Sequence, residues 1–328
     1  MTNREYFAQI LGEVLSDAKM ATYEYTESVL PQVETEYAQA IGTPEVFALD
    51  VAHQLAFRHG LGNSMFATPH TEVPYDMAIN YAKQTFSSPS NIAVVASNVE
   101  SSSLKSMVGE HFESSSNTSA TSAPSSTPSA SDRYYGGEVR VPATAHGGHD
   151  KGFLLVAFKG GPASSPEYSV LRHLLGGEAA VKWSQGSSGF AATAQGANAF
   201  SLGYSDAGLI GFNVSAQTEK VEGIAKEAVQ EFKRVAKGGL KDEDVKRAVA
   251  KAKFEAASSF ESRVSKLEFV GSQVSIASGL HLQHVLSALQ LLSTGNTPSL
   301  GSTFSTLDKV TGDSIAKVMP FSLCNRIV

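Results

Sequence analysis

Apolar residues recur at helical spacing through the first third of the chain. The range Tyr6–Leu15 carries them three and four residues apart, which predicts an amphipathic helix. A second helix is predicted to begin at Thr43-Pro44-Glu45, because threonine is a favoured N-cap, proline suits the first helical position and glutamate favours the positive end of the helix dipole. Its buried face is predicted to comprise Val46, Leu49, Ala52, Leu55 and Ala56.

The rest of this first part is predicted to contain a helix, a short strand and another helix. Tyr75 to Phe86 has the helical pattern, and a later helix is predicted to end near Phe112. The short apolar run Ile92 to Ala96 between them predicts a buried strand.

The second part of the chain opens with the alternation typical of strands. Gly137 to Val141 and Phe153 to Phe158 are predicted strands, and Asn198 to Leu202 and Leu209 to Val214 predict two more strands joined by a turn. A helix is predicted to start at Ser165-Pro166-Glu167 and to stop at Gly176-Gly177. Further helices are predicted over about Glu219 to Lys237, Asp242 to Ser262, Lys266 to Ser278 and Asp313 to Val318.

A serine-rich stretch separates these two parts. Half of the 18 residues from Ser114 to Ser131 are serine, two are proline, and none is charged or large and apolar. Such a segment cannot bury a core, so it predicts a flexible linker. The expected domains are residues 1–113, a linker at 114–132 and a second half at 133–328.

The two parts have a similar pattern of helices, and each contains a short late helix: Tyr75 to Phe86 in the first and Asp313 to Val318 in the second. This similarity predicts two copies of one α+β unit. The second part has several strands before its long helices, whereas the first has almost none. We therefore expect the first half to begin inside a domain and to be incomplete.

Composition and charge restrict the class of protein. Hydrophobic residues make up 42% of the 328 residues, enough for a sizeable core. A net charge of −6 argues against a surface for nucleic acid. The one cysteine, Cys324, excludes an intramolecular disulfide framework and a cysteine-rich zinc module. No apolar run approaches the roughly 20 residues of a membrane span, and the first ten residues have no targeting character.

The histidines do not form a recognisable metal motif. Neither H-E-x-x-H nor H-x-x-E-H occurs. Ser169 to His173 keeps only the last histidine of the second motif, Met107 to His111 has methionine where the first ligand is needed, and His281 and His284 have no adjacent acid. We therefore expect no zinc. The nine histidines are His53, His59, His70, His111, His146, His149, His173, His281 and His284.

A serine nucleophile is a remote alternative. Gly203-Tyr204-Ser205-Asp206-Ala207 has some likeness to a nucleophile elbow, His146 to His149 to an oxyanion loop, and Asp242 and His281 follow in the order of a hydrolase triad. An elbow leads from a strand into a helix, but the residues after Ser205 predict another strand. Ser205 is therefore interpreted as a turn residue.

Several segments, found in order over most of the chain, carry a family resemblance. They are Ala52 to Arg58, Leu61 to Met65, Tyr135 to Arg140, Tyr168 to Gly176, Tyr204 to Phe212 and Val270 to Gln273. Together they resemble the core protein 2 family of the mitochondrial cytochrome bc1 complex, respiratory complex III. That family is a non-catalytic branch of the pitrilysin-like zinc peptidases, which also include the mitochondrial processing peptidase.

The resemblance implies an α+β fold of two homologous halves joined by a linker. Active members carry H-x-x-E-H on the first helix of the first half and a further glutamate downstream; here the latter would fall near Glu24 or Glu27, and neither is assigned as a ligand. The second-half equivalent of the motif is Ser169 to His173, which is degenerate. Pro320 to Val328 does not resemble the family's final strand, so we expect a truncated C-terminus as well.

The function implied by the resemblance is that of a structural core subunit of ubiquinol–cytochrome c reductase. It would bind core protein 1, cytochrome b, cytochrome c1 and the Rieske protein, lie peripherally on the matrix side of the inner mitochondrial membrane, and hold no cofactor, metal or catalytic residue. Two alternatives stay open: a subunit of the mitochondrial processing peptidase, and a serine α/β hydrolase using Ser205.

Overall fold

A computed structural model describes most of the chain, in two compact units. The described residues are 3–16, 18–68, 73–86, 92, 94–112, 133–141, 151–176, 188–204, 206–238, 240–268, 271 and 300–319. The first unit takes the described residues within Met1–Glu36, Ala67–Pro128 and Ser259–Pro298, and the second takes those within Tyr37–Phe66, Ser129–Ser258 and Ser299–Val328. The linker at 114–132 lies outside the described residues, and the division into halves at 113 and 133 stays a prediction.

The first 112 residues are helical wherever the structure assigns a regular element. In chain order the elements are α1 (Asn3–Ser16), α2 (Thr22–Glu24), a π-helical turn (Tyr25–Val29), α3 (Leu30–Gly42), α4 (Pro44–Phe57), a 3-10 turn (Gly60–Gly62), α5 (Tyr75–Phe86) and α6 (Ser101–Phe112). This confirms the four helices predicted here. The sequence patterns did not predict α2, α3 or the π-helical turn.

Two predicted strands are wrong. Ile92 and residues 94–96 belong to no strand, and Ala93 lies outside the described residues. Residues 137–141 have the composition of a strand but form none. A strand exists only when a neighbouring backbone completes its hydrogen-bond ladder, and periodicity along one segment does not report whether that neighbour is present.

The second unit is built on a three-stranded antiparallel sheet. Its strands are β1 (Lys151–Gly160), β2 (Ala197–Gly203) and β3 (Gly208–Gln217), in the order β1-β3-β2. Phe158 pairs with Ile210, and Ala199 pairs with Phe212. Three predicted strands are thus confirmed, each longer than its apolar run, and the sheet with its helices confirms the α+β fold class.

Helices follow or separate these strands in the order α7 (Pro166–Leu175), α8 (Gly189–Thr193), α9 (Thr218–Ala236), α10 (Asp242–Glu261), α11 (Leu300–Leu307) and α12 (Gly312–Val318). The predictions for α7, α9, α10 and α12 are confirmed. Residues 263–268 and 271 are also helical, but most of the predicted helix Lys266 to Ser278 lies outside the described residues.

The alternation of β3 divides apolar residues between the two faces of the sheet. Ile210, Phe212 and Val214 face the main core, which α7, α9 and α12 complete. Leu209 belongs to a smaller cluster on the other face, together with Ala56 and other residues. This division follows from the two-residue period of a strand. Four phenylalanines form the centre of the main core, with ring centroids 5.4–6.0 Å apart: Phe158, Phe190, Phe212 and Phe232.

The buried face of α4 differs from the predicted one. Its buried residues are Asp50, His53, Ala56 and Phe57, whereas Val46, Leu49, Ala52 and Leu55 are only half-buried. Polar residues occupy the buried positions because each finds hydrogen-bond partners there. Thr43 precedes the helix as expected, but its hydroxyl donates to the Gln39 carbonyl, 3.0 Å away, and does not cap α4.

In the first unit, α1 packs against α6. A side chain at Gly12 would meet the His111 carbonyl oxygen at 2.3 Å, so glycine permits this close contact. Phe7, Leu11 and Val14, which share one side of α1, are 57–63% exposed. The predicted helix is confirmed, but this part of its apolar face is not buried by the described residues.

None of the helices within the described ranges is long and apolar enough to cross a membrane.

Candidate functional site

The degenerate motif Ser169 to His173 lies on α7, whose limits are set by local sequence. Pro166 starts the helix after Ser165, and Gly176 ends it with a φ of 148°. A positive φ of this kind is strained for residues with a side chain and accessible to glycine. Since residues three and four apart share a helix face, Ser169, Arg172 and His173 are placed on one side of α7.

Glu255 of α10 meets this side of α7. The Glu255 Oε2 atom lies 2.8 Å from His173 Nε2, and it also accepts a hydrogen bond from Arg172 Nη2. The His173 side chain is 4% exposed and that of Glu255 is 47% exposed. The imidazole is therefore held inside the second unit, while the carboxylate lies at its boundary with solvent.

These contacts determine the charges of the cluster. The hydrogen bond from His173 is the largest factor that holds the pKa of Glu255 down, to about 2; burial opposes it, and the hydrogen bond and charge of Arg172 assist it. His173 Nε2 must carry a proton in order to donate to the carboxylate. Arg172 Nη2 and His173 Nε2 lie 3.2 Å apart, and both donate to the same acceptor, Glu255 Oε2.

A small cleft of about 240 Å³ opens beside this cluster. Glu255 is a poor general base there, because an efficient base has a pKa near the working pH and the pKa of this carboxyl is about 2. The cleft is lined by hydroxyl groups and by the guanidinium of Arg172, which already donates to Glu255. Its lining residues are Gly161, Pro162, Ala163, Ser165, Tyr168, Ser169, Arg172, Ser201, Gly203 and Glu255.

The cluster does not fit zinc. A catalytic zinc takes three protein ligands, and here only His173 and Glu255 are of a ligand type. Ser169 stands where the motif H-x-x-E-H has its first histidine, and the cationic Arg172 stands where it has glutamate. Throughout the described ranges, no group of three or more histidine, cysteine, aspartate or glutamate residues is placed to hold a metal ion.

Sequence reasoning missed Glu255. The downstream glutamate of the motif was expected in the first half, near Glu24 or Glu27, which lie in α2 and in the π-helical turn and are both exposed. A glutamate downstream of His173 in the second half is the equivalent signal, and Glu255 in α10 matches it. His173 and Glu255 are 82 positions apart in the sequence, so no local pattern links them.

A second polar cluster joins α4 to the turn between β2 and β3. His53 Nδ1 lies 2.7 Å from the Leu49 carbonyl oxygen, so this nitrogen carries the proton and donates. His53 Nε2 lies 2.5 Å from the Tyr204 hydroxyl, which therefore donates to it. Burial raises the pKa of Tyr204, so the phenol stays protonated near neutral pH.

Asp50, one turn before His53, organises the loop that follows α4. Its carboxylate accepts hydrogen bonds from Gln54 Nε2 at 2.8 Å, from the Ser64 hydroxyl at 2.7 Å and from the Met65 backbone N–H at 2.9 Å. Three donors satisfy a carboxylate that is 6% exposed. Asp50 therefore has a structural role, which is to hold the loop after α4 in place.

The remaining candidates from the sequence are not brought to either cluster by the described residues. Asp242 begins α10 and is exposed. His59, just after α4, is exposed, and His111 lies in the last turn of α6. The rest lie outside the described residues, so the structure leaves the serine-hydrolase interpretation untested. They are Ser205, His70, His146, His149, His281, His284, Cys324, Gly177 and residues 185–187.

Comparison with known families decides the classification. The sequence profile described as "Peptidase M16 inactive domain" matches residues 72–252, more than half of the chain. The chain belongs to the M16 peptidase family. The matched range includes Ser169 to His173 but ends before Glu255. The cluster of Arg172, His173 and Glu255 therefore extends beyond the matched domain.

The chain is also similar to curated proteins called "Cytochrome b-c1 complex subunit 2, mitochondrial". It is 40% identical to the Cryptococcus neoformans protein over 266 residues, which are 79% of this chain and 59% of that protein. It is 35% identical to the Neurospora crassa protein over 298 residues, 87% of this chain and 63% of that protein. The chain thus spans about three fifths of the length of these relatives.

A solved structure confirms the fold. A chain in the structure titled "Complex III2 from Candida albicans, Inz-5 bound" matches with a TM-score of 0.73 at 16% identity, covering 95% of this chain and 71% of that chain.

Proposed function

We propose that this M16 chain is a non-catalytic, structural core subunit of the mitochondrial ubiquinol–cytochrome c reductase complex. The observation that carries the proposal is the 40% identity with a relative named as subunit 2 of the cytochrome b-c1 complex. The resemblance found in the sequence, through segments such as Tyr204 to Phe212, points to the same assignment.

The absence of peptidase activity is proposed from the Arg172–His173–Glu255 cluster. Arg172 brings a permanent positive charge to the carboxylate, at a distance where a metal would be repelled. Because Glu255 is already bound by two donors, it is not available as a metal ligand. Restoring a peptidase site would require changes at Ser169 and at Arg172.

The partners and location follow as parts of the same proposal. The chain binds core protein 1 and supports cytochrome b, cytochrome c1 and the Rieske protein, and it carries no cofactor of its own. It is peripheral to the inner mitochondrial membrane, on the matrix side. Its domains are a first half at 1–113, a linker at 114–132 and a second half at 133–328.

Native-gel analysis of mitochondria that express an epitope-tagged chain tests the assignment. The expected result is co-migration of the tag with cytochrome c1 and the Rieske protein. Migration with processing-peptidase activity, or free of both complexes, would contradict it.

A peptidase assay tests the non-catalytic part separately. Purified chain is incubated with a presequence peptide and added zinc, with an active processing peptidase as positive control. No cleavage is expected, and cleavage that is lost in a His173→Ala variant would overturn this part of the proposal.

A further inference from the structure

The amine of Lys251, on α10, has no carboxylate partner. In the part of the chain that the structure describes, no hydrogen bond or ion pair reaches its Nζ atom. Lys251 is half-buried, and it lies next to Ala252, which α10 contributes to the main core. An ammonium group that is withdrawn from water without an acid to bind loses hydration that nothing replaces.

Two carboxylates share this side of α10, and both are already bound. Asp244 lies two turns before Lys251, and its Oδ1 atom is 3.4 Å from Arg247 Nη2. Glu255 lies one turn after Lys251, at the spacing at which a helical salt bridge forms. Its carboxylate is bound instead by the arginine and the histidine of α7. The ion-pair network between α7 and α10 therefore leaves Lys251 unpaired.

A second cation, Arg247, lies one turn before Lys251 on the same side of the helix. Burial lowers the pKa of Lys251, and the charge of Arg247 lowers it further. Both effects disfavour the ammonium form. Asp308 after α11 and Arg234 on α9 also bring charges to α10, but they interact with other side chains of that helix.

An amine in such surroundings is a nucleophile. Only neutral lysine has the lone pair that attacks a carbonyl carbon, and lysine is activated in this way by removal from water or by a neighbouring cation. Both conditions are met at Lys251. The neighbouring lysines of α10 differ, since Lys253 Nζ lies 2.6 Å from Asp308 Oδ1 and Lys246 is exposed.

We propose that Lys251 is a site of acylation by acyl thioesters. The lysine nitrogen attacks the thioester carbonyl carbon, and an N–C bond forms as the C–S bond breaks. The leaving thiolate takes up the proton that the nitrogen loses. The products are an amide and a thiol, so the step changes no oxidation state and needs no further reactant.

The surroundings of Lys251 favour a thioester whose carrier is anionic. The ion pair between Arg247 and Asp244 is long, and the two side chains are 45% and 34% exposed, so a phosphate group can compete for the guanidinium. Phe254, one turn after the lysine, is 50% exposed and offers an apolar contact to the donor. A coenzyme A thioester carries phosphates on its carrier and matches both side chains. This inference is independent of the proposed function, since it rests on α10 and its contacts with α7.

Mass spectrometry of the full-length chain tests the proposal. The folded protein is incubated with acetyl-coenzyme A, and the acetylated fraction of each lysine is followed with time. Acetylation of Lys251 is expected to be several-fold faster than that of Lys246, which is exposed on the same helix. The difference should disappear in urea, because unfolding removes both the burial of the amine and its fixed place beside Arg247.

Removal of the neighbouring cation tests the cause of the reactivity. Arg247→Gln is expected to slow acetylation of Lys251 several-fold. Arg263→Gln, at an exposed position beyond the end of α10, is the matched control and should change nothing. With the uncharged donor S-acetyl-N-acetylcysteamine, the preference for Lys251 should persist, and the effect of Arg247→Gln should be smaller because that donor has no phosphate.

Three results would overturn the proposal. They are equal acetylation of Lys251 and Lys246 in the folded protein, a preference for Lys251 that persists in urea, and no effect of Arg247→Gln. An equal effect of Arg247→Gln with both donors would overturn the preference for an anionic carrier.

Discussion

His173 and Glu255 are 82 residues apart in the chain and 2.8 Å apart in the structure. The imidazole comes from a helix in the middle of the second unit, and the carboxylate comes from the long helix α10. Arg172, the residue before the histidine, donates to the same carboxylate oxygen. This arrangement turns the degenerate metal motif of an M16 domain into an ion-pair network that connects α7 to α10.

The first prediction concerns the pH dependence that Glu255 brings to stability. Its folded-state pKa of about 2 is below the ordinary value of 4.5, so its stabilising contribution is fully present above pH 4.5 and is lost as the pH falls from 4.5 towards 2. Glu255→Gln is expected to melt at a lower temperature than wild type at pH 7, with the difference shrinking below pH 4.5. Melting temperatures across pH 2 to 7 measure this.

Glu227→Gln, at an exposed position on α9, is the control for that series. It should follow the wild-type curve at every pH. A constant difference between Glu255→Gln and wild type from pH 7 to pH 2 would show that the charge of Glu255 is not what stabilises the fold.

The second prediction concerns the hydrogen bond between His53 and Tyr204. Tyr204→Phe removes the donor and leaves the buried His53 Nε2 without its partner. The expected cost is about 1–3 kcal/mol of unfolding free energy, the usual penalty for a buried polar atom left unsatisfied. Urea denaturation measures it. Tyr81→Phe, at a ring that is 68% exposed, should leave the midpoint unchanged.

The third prediction concerns Asp50. Asp50→Asn replaces one of the two accepting oxygens by an NH₂ group, which would face the donors that the carboxylate now binds. The loop containing Ser64 and Met65 should therefore be held less tightly. We expect a loss of about 1–3 kcal/mol and faster amide exchange at Met65. A Ser64→Ala variant completes a double-mutant cycle, and additivity of the two changes would contradict a direct interaction.

The fourth prediction uses two glycines in different surroundings. Gly12→Ala places a methyl group against the His111 carbonyl oxygen and should separate α1 from α6, seen as faster amide exchange in both helices. Gly223 lies in α9, and an added methyl group there would have no atom within 4 Å. Because alanine favours a helix interior over glycine, Gly223→Ala should stabilise α9 by about 0.5–1 kcal/mol. Equal behaviour of the two variants would contradict the close packing at Gly12.

The sequence by itself determined most of the local elements. Proline located the starts of α4 and α7, glycine located the end of α7, and the two apolar runs around Tyr204 predicted β2 and β3. It also identified Ser169 to His173 as a degenerate metal motif. These features depend on residues close together in the chain, where spacing and backbone preference are informative.

Only the tertiary structure decided which distant groups meet. It placed Glu255 beside His173, buried the polar side of α4 at Asp50 and His53, and paired residues 137–141 with no strand among the described residues. Burial of a polar residue depends on donors and acceptors supplied by other elements, and strand formation depends on a second backbone. Neither is encoded in the periodicity of one segment, because both are properties of long-range packing.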